Sequence, residues 1–184
     1  MIRKVCVVGT TASGKTTVAR ELAERLQVPH VELDALHHGP NWTEAGAEEL
    51  CERVGDALRG LDGWVVDGNY DGKIGDLVVR QADTVVWLDL PLRVSLARLW
   101  RRTSHRIRSD VELWNGNREE WSNVLFLGWG WDSLFAWTIR SHVRRKLRWP
   151  EGLVGRRQME IVRLRTPREV ERWLATQAPA RGQG

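Results

Sequence analysis

The chain has 184 residues, of which 42% are hydrophobic, and a net charge of +4 at neutral pH. This length suits one domain with a sizeable core, the lack of a long apolar run excludes a membrane span, and the modest charge argues against a dedicated nucleic-acid binder. Because the first predicted strand begins almost at the N-terminus, we expect no export signal, two reduced cysteines and a cytoplasmic location.

The first predicted element is a short apolar strand over residues 3–8, which leads directly into a glycine-rich loop. The spacing of this loop is typical of a phosphate-binding loop. Gly9 and Gly14 let the backbone turn tightly, so that N–H groups at the start of a helix point at phosphate oxygens. Lys15 is placed to reach the β- and γ-phosphates of ATP, and the Thr16 hydroxyl to ligate Mg²⁺. The predicted ATP-binding residues of the loop are Gly9, Thr10, Thr11, Ala12, Ser13, Gly14, Lys15, Thr16 and Thr17.

A helix over residues 15–26 and a second strand over residues 28–34 follow the loop, which makes the first part of the chain a βαβ unit. Asp34 ends this second strand and brings a carboxylate to the edge of the sheet that carries the loop. It is suited to accept a proton from an attacking hydroxyl or to orient an acceptor, and the alternative is that it caps a helix or turn. For His37 and His38 we weigh a place in the acceptor site against simple exposure.

Two further strands each end in a carboxylate that is a candidate for the Mg²⁺ site. Asp67 follows the buried strand over residues 64–67, and Asp89 lies in the next strand, over residues 84–90. A carboxylate in either place can hold a water of the Mg²⁺ shell. We prefer Asp67 because Gly68 follows it directly, and Asp89 is the competitor.

The region after the fourth strand is rich in arginine and tryptophan. A helix over residues 92–103 ends in an arginine cluster, and residues 103–131 lack a clean period, so we predict that they form an inserted lid. The tryptophans of this insertion either pack a small lid core or present an aromatic surface to a ring-containing substrate. The lid arginines that are candidates to close over the transferring phosphoryl group are Arg101, Arg102, Arg106 and Arg118.

An interrupted helix over residues 118–147 carries a second arginine cluster. Arg140 and Arg144 recur with helical spacing beside an apolar row that includes Ile139 and Val143. This basic stripe is either a solvated face or a grip on an acceptor phosphate.

The chain ends in a strand over residues 159–165, a helix over residues 167–175 and a tail over residues 177–184. Thr166 and Pro167, just after the strand, are candidates to flank the adenine ring of ATP. The alternation of strands and helices predicts a single α/β domain over residues 1–176, in which helices cover both faces of a parallel sheet.

Several segments together resemble the adenylate-kinase-related P-loop proteins that are often labelled topology-modulation proteins. The similar segments are residues 9–17, 30–42, 64–70, 82–91 and 112–118. The resemblance implies a P-loop NTPase three-layer sandwich with a five-stranded parallel sheet of order 2-3-1-4-5. It also implies an acceptor-binding arm over about residues 35–62, which with the adjoining loop presents His37, His38, Trp42, Asn69 and Tyr70 to the acceptor.

Carried over residue by residue, the resemblance places Lys15 and Thr16 at the phosphate and Mg²⁺ positions and Arg101 and Arg102 at the lid entrance. Asp67 and Gly68 match the Asp-Gly pair of adenylate kinases. That pair is followed here by Asn69 and Tyr70 rather than by an aromatic residue, proline and an arginine that grips AMP. The acceptor therefore need not be AMP.

These observations predict a P-loop kinase that transfers the γ-phosphoryl group of ATP, with Mg²⁺, to a small-molecule or nucleotide acceptor. The arginine clusters support a second hypothesis, a nucleic-acid-associated ATP-binding protein, which we do not favour because no helix-turn-helix, OB or zinc pattern is present. A third hypothesis is a nucleotide-dependent regulatory NTPase. We expect a monomer or a homodimer with no membrane partner.

Overall fold

The computed structural model describes residues 2–121, 133–153 and 159–177. Within these residues five strands form one sheet of order β2-β3-β1-β4-β5, and every neighbouring pair is parallel. This confirms the predicted fold class and strand order. The strands are β1 (Lys4–Gly9), β2 (His30–Glu32), β3 (Trp64–Asp67), β4 (Thr84–Leu88) and β5 (Glu160–Leu164).

Helices cover both faces of the sheet, and alternate residues of the central strand β1 supply the two cores. Cys6 and Val8 face one core, whereas Val5 and Val7 face the other, and all four are almost completely buried. Burial, with a smaller contribution from the charge of Asp67, raises the pKa of the Cys6 thiol to about 12, so the thiol stays protonated. The helices are α1 (Lys15–Leu26), α2 (Leu33–His37), α3 (Ala47–Leu58), α4 (Asp71–Ile74), α5 (Leu92–Arg108), α6 (Leu134–Leu153) and α7 (Pro167–Thr176).

Two element boundaries differ from the sequence-based expectation. Strand β2 ends at Glu32, so Asp34 lies in the first turn of the short helix α2 rather than at the end of a strand. Helix α5 continues to Arg108, five residues beyond its predicted end and into the predicted lid. The hydrophobic period breaks at Thr103 and Ser104, but both side chains are buried, because their small hydroxyl groups fit against the neighbouring elements. Residues 122–131 of the predicted lid and 178–184 of the tail lie outside the described residues.

Helix α6 turns a different face to the protein than the sequence suggests. Ile139 and Val143 of its apolar row are 44% and 52% exposed, whereas Thr138 and His142 are buried. The helix packs a polar face inward because that face contacts backbone and side-chain groups of the glycine-rich loop, as described below. Among the described residues, no helix is both long enough and apolar enough to cross a bilayer.

Candidate active site

The glycine-rich loop between β1 and α1 is tightly folded. A Cβ atom on Gly9 would lie 2.7 Å from the Ser13 hydroxyl and 2.9 Å from the Leu88 carbonyl oxygen, so only glycine fits there. Gly14 is the N-cap of α1 and has a φ of 99°, a conformation that L side chains rarely adopt. The N–H groups of the first turn of α1 have no carbonyl partner within the helix and are free to bind an anion.

Residues from three distant segments hold this loop in place. Asn69 accepts from the Gly9 N–H at 3.2 Å and donates to the Gly9 carbonyl at 2.7 Å. Arg145 of α6 donates to the same carbonyl at 2.6 Å, and Arg98 of α5 donates to the Ser13 carbonyl at 2.7 Å. His142 of α6 lies 2.9 Å from the Thr10 hydroxyl through Nδ1. The loop is therefore anchored from outside as well as by its own turns.

Lys15 is half-buried, and its Nζ donates to the Thr10 carbonyl at 3.3 Å. Burial lowers the pKa of Lys15 to about 8; the negative charge of Asp34 opposes this shift, and the positive charge of Arg145 adds to it. A bound anion would stabilise the charged form of this ammonium group. The position is thus suited to hold a phosphate oxygen.

Thr16 and Asp67 meet at the carboxyl end of the sheet. The Thr16 hydroxyl donates to Asp67 Oδ2 at 2.7 Å and also lies 3.3 Å from Glu32 Oε1. Asp67 is buried, and its second oxygen lies 2.8 Å from His30 Nε2. A hydroxyl next to two carboxylates is an oxygen-rich donor set of the kind that Mg²⁺ prefers.

The competing carboxylate, Asp89, lies elsewhere. It binds the guanidinium of Arg163 on the edge strand β5 at 2.9 and 2.5 Å, and that guanidinium also lies 4.3 Å from the centre of the Trp87 ring. The structure therefore brings Asp67, and not Asp89, to Thr16.

A cavity of about 1700 Å³ runs from the loop to the arm that follows β2. Loop residues Thr11 to Thr17 line one part, and the arm residues His38 and Trp42 line another. The other sequence-predicted residues that line it are Asp34, Asn69, Tyr70, Arg101, Arg102, Arg106, Arg140 and Pro167.

Eight predicted site residues do not line this cavity: Gly9, Thr10, Asp67 and Asp89, whose contacts are given above, and His37, Arg118, Arg144 and Thr166. His37 is buried beneath it, with its ring centre 4.6 Å from that of Tyr70 and its Nε2 3.3 Å from Lys73 Nζ. Arg118 binds the Asp110 carboxylate and lies 3.6 Å from Glu112. Arg144 is exposed on the outer side of α6. Thr166 caps α7 by accepting from the Glu169 N–H at 3.2 Å.

One face of α5 supplies four arginines of the cavity, beside Arg20, Arg140 and Arg145 from other helices. Arg98, Arg101, Arg102 and Arg106 follow one another at helical spacing, and all four line it. Arg106 binds Glu119 at 2.6 Å, and Arg102 lies 4.0 Å from the same carboxylate. Burial, together with the positive charge of Arg106, lowers the pKa of Arg102, which leaves its guanidinium in a site suited to a negatively charged ligand.

The opposite end of the cavity carries carboxylates and aromatic rings. Tyr70 donates its hydroxyl to Asp34 Oδ1 at 2.8 Å, and burial next to this carboxylate raises the pKa of Tyr70 well above its usual range. The His38 ring stacks on Trp114 with 5.9 Å between centres, and Trp42 meets His38 edge-on at 5.4 Å. Burial also raises the pKa of Glu32, and a hydrogen bond from Trp114 partly opposes this.

Two asparagines join the arm to the segment over residues 112–118, and we call Asn115 and Asn117 the asparagine clasp. Asn115 donates to the His38 carbonyl at 2.5 Å. Asn117 accepts from the Trp42 N–H at 2.8 Å and donates to the Gly39 carbonyl at 2.9 Å. The clasp holds Trp42 at a φ of 56°, where a bulky side chain is rarely found.

Sequence reasoning missed several residues of this site, and in two cases a signal was present. Arg98 lies three and four residues before Arg101 and Arg102, so helical spacing alone places it on their face. Arg145 belongs to the predicted arginine cluster of α6, but the stripe was placed on Arg140 and Arg144. No local pattern indicates that His142 meets Thr10 or that Asn117 meets Trp42, because each pair is more than 70 residues apart.

Comparison with solved structures shows the same fold in kinases. A sugar kinase from Janibacter sp. HTCC2649 aligns at 17% identity and a TM-score of 0.52, with 98% of each chain covered. Shikimate kinase from Bacteroides thetaiotaomicron aligns at 14% identity and a TM-score of 0.54, with 96% of each chain covered. Shikimate kinase from Acinetobacter baumannii, in complex with shikimate, aligns at 17% identity and a TM-score of 0.58, covering 96% of this chain and 90% of that one.

These likenesses confirm the P-loop NTPase fold with its five-stranded parallel sheet. No curated protein sequence matches the chain. A family model described as AAA domain matches residues 5–123, which include the glycine-rich loop and strands β1 to β4. Because this match spans more than half of the sequence, the chain belongs to the AAA domain family.

Proposed function

We propose that this protein is an ATP-dependent phosphotransferase that transfers the γ-phosphoryl group of ATP to a hydroxyl group of a small-molecule acceptor. The observation that carries the proposal is the single cavity that joins the loop, with Lys15 and Thr16, to the carboxylate of Asp34. A triphosphate site and a candidate general base in one enclosed space are what phosphoryl transfer to a hydroxyl requires.

The residues around the loop fit ATP with Mg²⁺. The main-chain amides of the first turn of α1 and the ammonium group of Lys15 bind the β- and γ-phosphates. Thr16 and Asp67, whose side chains lie 2.7 Å apart, would hold the metal, Thr16 through its hydroxyl oxygen and Asp67 through a water molecule. When bound, Mg²⁺ supplies charge neutralisation on the phosphate oxygens. Pro167 and Val170, which line the same cavity, flank the adenine ring.

Asp34 acts on the acceptor. Tyr70 donates to one oxygen of this carboxylate at 2.8 Å, which fixes its orientation and leaves the other oxygen for the acceptor hydroxyl. The acceptor oxygen forms a bond to the γ-phosphorus while the bond from that phosphorus to the β,γ-bridging oxygen breaks. The hydroxyl proton passes to Asp34, and ADP leaves with the electron pair of the broken bond.

The arginines of α5 stabilise the transferring phosphoryl group. Arg102 and Arg106 line the cavity between the loop and Asp34, with Arg101 beside them. Fixed guanidinium groups in a partly water-excluded site act on developing negative charge more strongly than they would in water. The predicted roles of Arg118 and Arg144 are not part of this proposal, since neither residue lines the cavity.

The finer expectations stay predictions. These are an adenylate-kinase-like identity, a nucleotide acceptor, a cytoplasmic location and a monomeric or homodimeric state. The arginine cluster of α5 favours the kinase over the nucleic-acid hypothesis, because Arg98, Arg102 and Arg106 face the cavity.

The test compares two carboxylates at the ends of β3 and β4, the strands on either side of β1 in the sheet. With ATP and Mg²⁺, the wild-type protein is expected to form ADP faster when an accepted hydroxyl compound is added. Asp67→Asn should reduce this rate at least about 100-fold, whereas the matched control Asp89→Asn should retain it. Equal losses in the two variants, or a wild-type rate that no hydroxyl compound raises, would overturn the proposal.

A further inference from the structure

The acceptor end of the cavity carries chemistry that the proposed function does not specify. We infer that the acceptor is a ring compound that bears hydroxyl groups but no phosphate or carboxylate group, held between carboxylates and a wall of aromatic rings. This inference rests on the proposed function and adds the class of substrate.

The first argument is charge. The arm over residues 35–62 and the segment over residues 112–117, both described in full, contribute no lysine or arginine to the cavity lining. They contribute two carboxylates, Glu44 and Glu112, and Asp34 lies next to the arm. Recognition of a phosphate or carboxylate needs a fixed guanidinium or ammonium group at the point of contact. The acceptor end offers hydrogen-bond acceptors instead.

The cations near this end are already paired. Lys73 donates to Glu44 at 2.8 Å and to the Ala45 carbonyl at 3.2 Å. Arg118 binds Asp110 and Glu112. Arg102, on the phosphate side of Asp34, is offset by Glu119 at 4.0 Å. An anionic acceptor bound against the arm would therefore meet Glu44 and Glu112 without a lysine or arginine from the described arm or from residues 112–117 in the cavity lining to balance them, which is electrostatically unfavourable.

The second argument is the aromatic wall, which consists of His38, Trp42 and Trp114. His38 stacks on Trp114 with an angle of 22° between the rings, and Trp42 closes the wall edge-on. A flat aromatic surface next to carboxylates binds a ring whose face packs on the indole while its hydroxyl groups donate to the carboxylates. Sugars, cyclic polyols and nucleosides share this chemistry.

The third argument is pre-organisation. The asparagine clasp fixes both sides of the wall, and it holds Trp42 in a strained backbone conformation with a φ of 56°. Strain that persists in a folded protein is a pointer to a functional position.

The experiment uses pairs of compounds that differ in charge. Thermal unfolding of the full chain is followed with ADP and Mg²⁺ present, and ADP formation from ATP is measured separately. The neutral or cationic probes are D-glucose, D-glucosamine, myo-inositol and adenosine, and the anionic probes are glucose 6-phosphate, gluconate and AMP. We expect at least one uncharged or cationic probe to exceed its anionic partner at least about tenfold in kcat/KM and to raise the Tm.

Two variants connect this preference to the wall. Trp114→Ala should raise KM for the accepted probe about tenfold or more and leave KM for ATP unchanged. The matched control is Trp100→Ala, because Trp100 is half-exposed on α5 and its ring contacts Trp121 and Phe135 away from the cavity. The control should leave both KM values unchanged.

The outcomes separate this inference from the proposed function. If ATP binds and an anionic probe is the better acceptor, or if no uncharged or cationic probe raises either the Tm or the rate, the inference is wrong and the ATP site stands. An equal KM change in Trp114→Ala and Trp100→Ala would overturn it as well. If ATP fails to stabilise the wild-type protein, the proposed function itself falls.

Discussion

The two ends of the cavity are built in different ways. The phosphate end is one continuous loop, Gly9 to Thr16, to whose main-chain groups and Lys15 we assign the binding of phosphate. The acceptor end is assembled from side chains of β2 and α2, the arm, the residues after β3 and the segment over residues 112–118. Substitutions change little in a site made of main-chain groups, whereas side chains from several segments can be replaced independently of one another. We therefore expect the phosphate end to set the reaction and the acceptor end to set the substrate.

The largest difference between the two ends is expected when the candidate base of the acceptor end is removed. Asp34→Asn keeps the shape of the side chain but cannot take up the acceptor proton. We expect kcat to fall roughly 10²- to 10⁴-fold, while KM for ATP stays within about twofold. Steady-state kinetics with an accepted hydroxyl compound measures kcat and KM for ATP. Asp83→Asn is not a suitable control, because the Asp83 carboxylate accepts from two backbone N–H groups at the start of β1.

A suitable control for Asp34→Asn is Asp76→Asn, since Asp76 lies outside the cavity lining and pairs with Arg80 on the surface. A large rise in KM for ATP with unchanged kcat would place Asp34 at the phosphate end and contradict this assignment.

Substitution of arginines tests the part of the cavity where the phosphate end meets the acceptor end. Arg102→Met removes a guanidinium that lies between the loop and Asp34, and we expect kcat to fall about 100-fold or more. The matched change Arg144→Met alters an exposed arginine on α6 and is expected to change kcat less than about twofold. Pre-steady-state measurement of ADP formation distinguishes the two variants. Similar losses in both would contradict a role that is specific to the cavity-facing arginines of α5.

The pKa of Lys15 makes the phosphate end sensitive to pH. Burial lowers this pKa to about 8, whereas in the unfolded chain it has the ordinary lysine value. In the free protein the desolvated charge of Lys15 lowers the free energy of unfolding at pH values below about 8. This destabilisation is relieved as the pH rises from about 8 towards the ordinary pKa of lysine. A bound triphosphate favours the charged form, so above about pH 8 binding must take up a proton, and affinity falls by up to about tenfold per pH unit.

Calorimetry in two buffers of different ionisation enthalpy measures this proton uptake. We expect close to one proton per ATP at pH 9 and almost none at pH 7. Lys15→Arg, which stays charged, should show neither the uptake nor the loss of affinity. A pH-independent affinity of the wild-type protein between pH 7 and 9 would contradict the burial argument.

The smallest effect is expected at the clasp. Asn117 is buried and bonds to the Trp42 N–H, the Gly39 carbonyl and the Trp114 carbonyl. Asn117→Ala should lower the free energy of unfolding by about 1–3 kcal/mol and raise KM for the acceptor several-fold, without changing KM for ATP. Denaturant unfolding and kinetics check both parts, with the exposed amide variant Gln81→Ala as control. A change in ATP binding alone would show that the two ends are not independent.

The fold was predictable from the sequence because its signals are local. Buried apolar strands, a loop of fixed spacing and amphipathic helices each occupy consecutive residues, and the resemblance supplied the strand order that the structure confirms. The exception is α6, where Ile139 and Val143 are exposed and Thr138 and His142 are buried. A hydrophobic period predicts which face packs on a core, but this helix packs on a polar loop.

The acceptor end was only partly predictable. Asp34, His38, Trp42 and Tyr70 were expected near it and line the cavity. Their mutual geometry depends on Asn115 and Asn117, which lie more than 70 residues from their partners His38 and Trp42. Hydrogen bonds between such distant loops leave no period in the sequence. The loop contacts of Arg145 and His142 were missed for the same reason.

The most direct test of the phosphate end is the effect of ATP and Mg²⁺ on thermal unfolding of the wild-type protein and of Lys15→Met. Ligand-linked stabilisation should raise the Tm of the wild-type protein by several degrees at saturating ATP and leave the Tm of the variant unchanged. Without ligand, the variant should be at least as stable, because it no longer buries an ammonium group. Equal ATP-dependent shifts in the two proteins would contradict the assignment of this loop as the nucleotide site.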